Sequence, residues 1–123
     1  MTDEEDARAP DGGEHEPICE HFQRAARLLA RRWSPLIISA LLAGNGRFTD
    51  IRDSIPGLSD RLLSERLKEL ETAGIVTRTV IPATPVRIEY GLTEQGQDLS
   101  GLLDEMRAWA ERWAPVTATA RRS

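Results

Sequence analysis

The sequence predicts a mainly α-helical domain that carries one two-stranded β-ribbon. Three observations predict it. Apolar residues recur at helical spacing in several stretches up to residue 74 and again after residue 93. Between them stand "IVTRTVI" and "VRIEYGL", β-branched runs of alternating polarity joined by "PATP". Cap residues and glycine stops bracket most of the helical stretches.

The elements follow in order. Residues 1–17 hold seven acids, one arginine and almost no large apolar side chain, together with Pro10, Gly12, Gly13 and Pro17. Such a segment cannot bury enough surface to offset its ordering entropy, and it is predicted to be a disordered acidic tail. "CEHFQRAARLLARRW" predicts an amphipathic helix, with Phe22, Ala25, Ala26, Leu29 and Trp33 on one face and Arg24, Arg27 and Arg31 on another. "SPLIISALLAG" predicts a buried central helix, with Ser34 as cap, Pro35 at the first turn and Gly44 as stop. "RFTDIRDSI" predicts a short helix capped at Thr49, with Phe48, Ile51 and Ile55 inward, and "PGL" signals a turn.

"SDRLLSERLKELETAG" is the best-specified helix. Ser59 caps it, Gly74 ends it, and Leu63, Leu67 and Leu70 form its stripe. The ribbon follows. The two prolines of its loop exclude a tight Asn-Gly turn and predict a stiff projection. "TEQGQDLSGLLDEMRAWAERW" predicts one long helix capped by Thr93. The working domain is expected over residues 18–114, with a flexible tail at 115–123. A short helix, a brief turn, a capped helix and then a ribbon make a winged helix-turn-helix (mainly α with a two-stranded β-wing, α+β).

Composition bounds the function. With 40% hydrophobic and 29% charged residues the chain reads as globular. No apolar run approaches the roughly 18 residues that span a bilayer, and "MTDEEDARAP" is acidic where a signal peptide is basic. A cytoplasmic protein without a membrane partner is expected. The single cysteine cannot close an internal disulfide, although it could cross-link to a second chain. The net charge of −4 conceals a mildly basic middle: residues 18–92 carry eleven bases and eight acids. That balance alone is weak evidence for nucleic acid.

The element order is stronger evidence. A helix fits the DNA major groove, and the residues near its N-terminus reach base edges. With its leucines inward, the helix from Ser59 leaves Ser59, Asp60, Arg61, Ser64, Glu65 and Lys68 outward. Arginine can bond guanine in bidentate fashion, glutamate can accept from cytosine, and serine can serve base or phosphate. Arg47 and Thr49 are placed for a flanking phosphate, and Arg78 and Arg87 for the wing. A winged helix can instead bind protein without specific DNA contact, and that is the alternative.

No catalytic site, metal site or cofactor is expected. There is no Gly-rich phosphate loop, and Cys19 and His21, two residues apart at a helix start, point in different directions. His15, Cys19 and His21 give three candidate metal ligands, where a closed zinc site takes about four that converge. Cys19 keeps two readings, sensor thiol and small structural side chain. At a helix N-terminus the macrodipole favours a thiolate, while Glu16 and Glu20 oppose it.

The segments "RRWSPLIISALLAGNGRFTDIRDSIPGLSDRLLSERLKELETAGIVTRTV" and "PVRIEYGLTEQGQDL" resemble the HxlR-type winged-helix transcriptional regulators of bacteria. They carry an Arg-Trp before the second helix, "RF" followed by a hydroxyl residue, "PGLS" where "PGIS" is usual, an L-x-x-L-E-x-x-G-I-V run and "EYxLTxxG". The resemblance runs from Cys19 to about Trp113. It implies a homodimer on a near-palindromic double-stranded DNA operator, usually as a repressor, with the first and last helices as the dimer interface. The candidate interface residues are then Phe22, Leu29, Leu99, Leu102, Leu103, Met106, Trp109 and Trp113. It further implies an oxidant, electrophile or other small-molecule effector, because several such regulators sense through a cysteine at the place of Cys19.

Overall fold

Among the residues that the computed structural model describes, 15–114, eight elements follow in chain order. They are α1 (Glu20–Ala30), α2 (Ser34–Leu42), α3 (Phe48–Ser54), α4 (Asp60–Thr72), β1 (Val76–Ile81), β2 (Arg87–Leu92), α5 (Glu94–Gln97) and α6 (Ser100–Trp113). The predicted tail over residues 1–17 lies outside the described residues up to residue 14, and the predicted tail over 115–123 lies outside them entirely. The chain divides into two compact units, one ending at Ala30 and one beginning at Arg31.

In the first unit, α1 opens with the Gln23 N–H donating to the Cys19 carbonyl at 3.0 Å, and the Gln23 side chain donates to the Ile18 carbonyl at 2.8 Å. Cys19, just before the helix, is exposed. The helix is strongly amphipathic and buries none of its residues. Trp33, predicted on its apolar face, lies beyond its end.

The second unit is built around α2, the most apolar helix, which packs against α3, α4, α6 and β2. Ile37 and Ile38 of α2 are wholly buried with Ile51, Leu63, Leu70 and Ile75. The leucine stripe of α4 therefore turns inward as its spacing requires, and burying each such side chain is worth about 1.5–3 kcal/mol. β1 and β2 form one antiparallel ribbon in which Arg78 faces Tyr90 and Ile81 faces Arg87.

Three predicted helix starts shift. Ser34 is the first helical residue rather than the cap. Its N–H closes a tight turn onto the Arg31 carbonyl at 3.1 Å, its side chain is buried, and Trp33 takes the cap with a left-handed backbone, φ 80°. Thr49 lies inside α3, because the first helical bond runs from the Ile51 N–H to the Arg47 carbonyl at 3.0 Å. Thr93 does cap, accepting from the Gly96 N–H at 3.0 Å, but it caps only the short α5. The Leu99 N–H then bonds back three residues to Gly96, the turn tightens, and α6 starts afresh. The predicted long helix is thus two helices. Ser59 and Gly74 behave as expected: the Ser59 hydroxyl accepts from the Leu62 N–H at 3.1 Å, and Gly74 follows α4 at φ 82°, where a side chain would be strained.

Candidate nucleic-acid interface

The helix pair α3 and α4 is held by an ion pair that crosses their turn. Arg52 of α3 donates to Asp60, the first residue of α4, at 3.0 Å, and to Asp53 at 3.2 Å. These hydrogen bonds, that to Asp60 foremost, raise the Arg52 pKa above its ordinary value and keep it charged. Ser59 spends its hydroxyl on the cap. Of the outward residues of α4, Ser59 and Asp60 are therefore occupied within the protein. Arg61 and Glu65, one turn apart, form a 2.8 Å ion pair. Ser64 and Lys68 are exposed. Arg47 and Thr49 are exposed at the start of α3.

The ribbon separates its two arginines. Side chains alternate faces along a strand, and residues directly paired across strands share a face. Arg78 therefore lies with Tyr90 on the face that carries buried Val76. Arg87 lies on the opposite face, 3.8 Å from Glu89. Cleft-lining residues confirm the first placement: Arg78 and Tyr90 line one cleft with Ser64, Leu67, Lys68 and Glu71 of α4.

A second network holds the other flank of α4. Arg66 is buried; its Nε donates to the Arg32 carbonyl at 2.9 Å, and its Nη1 reaches Glu69 at 3.4 Å. Arg31 grips the same carboxylate with two bonds, 3.1 and 3.0 Å. The hydrogen bond from Arg31, against an opposing effect of burial, holds the Glu69 carboxyl below its ordinary value of 4.5. The sign for stability follows: below 4.5 the unfolded chain binds the proton more readily than the folded one, so this contribution is present above that value and is lost as the pH falls. In acid unfolding followed by circular dichroism, Glu69→Gln is expected to flatten the stability loss below pH 4.5. An unchanged acid slope would remove the link.

The candidate interface residues divide. In the first unit Phe22 is 64% exposed and Leu29 is half-buried. On α6, Leu103 is 4% exposed and belongs to the core of the second unit, which corrects its placement at an interface, and Leu99 is half-buried. Leu102, Met106, Trp109 and Trp113 remain 47–65% exposed. Their spacing of four, three and four residues is that of a coiled-coil seam.

Among the described residues no helix is long and apolar enough to cross a membrane, and no group of three or more His, Cys, Asp or Glu could hold a metal ion.

The family model described as HxlR-like helix-turn-helix matches residues 28–118. The chain belongs to the HxlR-like helix-turn-helix family. It is 51% identical over 96 residues to the HTH-type transcriptional regulator YvaP of Bacillus subtilis, across 78% of this chain and 89% of that protein. It is 46% identical over 96 residues to YodB of the same organism, across 78% and 86%. The reduced form of YodB superposes with a TM-score of 0.71 at 45% identity, covering 80% of this chain and 96% of that one. The redox regulator HypR in its reduced form gives 0.70 at 30% identity, covering 75% and 91%. The chain is accordingly a DNA-binding transcriptional regulator and not an enzyme.

Three further residues shape the site in this HxlR-like chain: Arg52, Arg66 and Tyr90. Arg66 carried a signal: three residues after Leu63 and four before Leu70, it falls on the buried stripe. Arg52 and Tyr90 carried none, because their partners are brought near only by the turn and by the ribbon register.

Proposed function

We propose that the chain acts in the cytoplasm, at the nucleoid, as a homodimeric repressor of a near-palindromic operator, and that modification of Cys19 releases it. The observation that carries this reading is the joint exposure of Cys19 at the start of α1 and of an unpartnered heptad seam on α6. Two wing-bearing domains joined through α1 and α6 would set two α4 helices about 34 Å apart, one major-groove turn. In each, Arg61 would exchange Glu65 for guanine, Glu65 would become free to accept from cytosine, and Arg47 with Thr49 would hold a flanking phosphate. The working regulator spans residues 18–114.

The relatives support a thiol switch. YodB is known in diamide-treated and quinone-bound forms, and HypR in an oxidised form. With one cysteine per chain, two products are available here. A quinone adds to the thiolate, forming an S–C bond and yielding a hydroquinone thioether. Diamide takes two electrons and two protons from two Cys19 thiols, which join as a disulfide between copies.

The test is binding to the DNA beside the protein's own gene. Reduced protein is expected to bind an inverted repeat there, with log affinity falling linearly as log salt rises. Quinone or diamide is expected to weaken that binding, and Cys19→Ser to bind normally without responding. A Cys19→Ser protein that still responds would exclude the thiol switch. Binding without a salt slope would exclude the operator reading.

A further inference from the structure

The basic side chains around α4 and the ribbon form two groups. Arg52, Arg61, Arg66 and Arg87 each lie against a carboxylate. Lys68 and Arg78 have no ion pair among the described residues. Both open on one cleft of about 370 Å³ between α4 and the ribbon, lined by Ser64, Leu67, Lys68, Glu71, Arg78 and Tyr90.

Two regularities assemble this cleft. Ser64, Leu67, Lys68 and Glu71 are spaced three, four and seven residues apart, which puts them on one side of α4. Arg78 and Tyr90 are direct cross-strand partners on the facing side of the ribbon. The Leu67 side chain is buried and serves as an apolar floor. Above it stand two cations without an ion pair, two hydroxyls and one carboxylate. Five N–H donors on arginine, three on lysine and two O–H groups suit an oxyanion with several acceptor oxygens.

We propose that this cleft seats one phosphodiester of the DNA backbone, held by Lys68, Arg78 and the hydroxyls of Ser64 and Tyr90, with Glu71 as a counter-charge that limits the hold. It rests on the DNA-binding reading above. A phosphate seated here ties helix and wing to one point on the backbone, which fixes the depth and register of α4 in the groove without reading sequence. Lys68 thereby moves from a base-reading residue to a backbone-binding one, and Tyr90 becomes a backbone-binding residue beside it. Glu71 makes the site sub-maximal: its charge repels the phosphate and keeps non-specific binding weak.

The test compares wild type, Lys68→Gln, Tyr90→Phe and Glu71→Gln by fluorescence anisotropy on operator and scrambled duplexes over a range of salt. Lys68→Gln is expected to weaken both duplexes alike and to reduce the salt slope by about 1. Tyr90→Phe is expected to weaken both about three- to tenfold with the slope unchanged, as loss of a neutral hydrogen bond does. Glu71→Gln is expected to tighten both, a gain that misfolding cannot imitate. Lys68 is the chain's sole lysine, so side-chain acylation read by peptide mass spectrometry reports on this cleft alone. Scrambled duplex should protect it, and inorganic phosphate at matched ionic strength should not. A Glu71→Gln protein that binds no tighter, a Lys68→Gln loss confined to the operator, or protection by inorganic phosphate alone would overturn the seat. Wild-type protein that binds no duplex with a salt slope would sink the DNA-binding reading itself, whereas wild-type behaviour in all three variants sinks only the seat.

Discussion

Gly96→Ala is expected to lower the stability of the folded chain by about 3 kcal/mol, at the upper end of the cost of overpacking a filled site. A Cβ at position 96 would overlap the Ile75 carbonyl oxygen, and it would stand 3.0 Å from Leu92 Cδ2 and 3.2 Å from Ile75 Cγ2. The carbonyl cannot retreat. It accepts from the Thr93 N–H at 3.0 Å and the Thr93 hydroxyl at 3.2 Å, and that hydroxyl also donates to the Gly74 carbonyl at 2.6 Å. The first turn of α5 is pressed onto the Gly74–Ile75 link between α4 and β1, and only a residue without a side chain fits there. In thermal unfolding the loss corresponds to about 15 °C for a chain of this size.

Gly101→Ala is the control. Near the start of α6, nothing lies within 4 Å of the Cβ it would add. The same substitution there should stabilise by about 0.5–1 kcal/mol, because alanine gives up less conformational freedom in a helix than glycine does. If both variants melt like wild type, the close packing of α5 on Ile75 is wrong. The Thr-x-x-Gly of "LTEQG" thus has a physical content: the threonine ties three backbone groups, and the glycine lets them meet.

The double substitution Trp109→Ala, Trp113→Ala is expected to convert a dimer into a monomer. Each indole is at least 60% exposed in the single chain, and buried tryptophans at interfaces are commonly worth 2 kcal/mol or more apiece. Removing two from each protomer should raise the dissociation constant by at least about a hundredfold. Light scattering coupled to size exclusion reads the mass directly. Because Leu103, rather than either tryptophan, fills this subunit's own core, the melting of the variant's monomer should be little changed. A variant that stays dimeric would remove the α6 seam as the interface. A wild type that is monomeric at micromolar concentration would remove the dimer.

Such a dimer would change what the reading head can do. One helix held only by local contacts reads a few base pairs, whereas two helices at a fixed spacing discriminate by their combined register. Arg61 and Glu65 pair with one another in the free protein, so in the proposed complex each would trade its partner for a base. On that proposal a wrong base would leave them paired, and the penalty for mismatch would be a contact not made.

Much of this was legible in the chain itself. Ser59, Gly74 and the leucines of α4 encode a helix of known start, end and inward face, because caps and periodicity are local properties. The β-branched runs around "PATP" encode the ribbon for the same reason. The Arg61–Glu65 pair is written in its four-residue spacing, and the apolar seam of α6 in its heptad spacing. The tertiary structure decided what depends on elements meeting. The ribbon register put Arg78 beside Tyr90 and turned Arg87 to the other face, since pairing fixes which side chains share a face. The turn between α3 and α4 brought Arg52 to Asp60. Packing of α2 against α6 divided an apolar helix into a core residue, Leu103, and an exposed seam. With α5 seated on Ile75, the Leu99 N–H turned back to Gly96 and the predicted long helix became two. Spacing along one element can be read from sequence, but distances between elements arise only once the core has closed, and those distances separate the cations that are neutralised from the two left facing an open cleft.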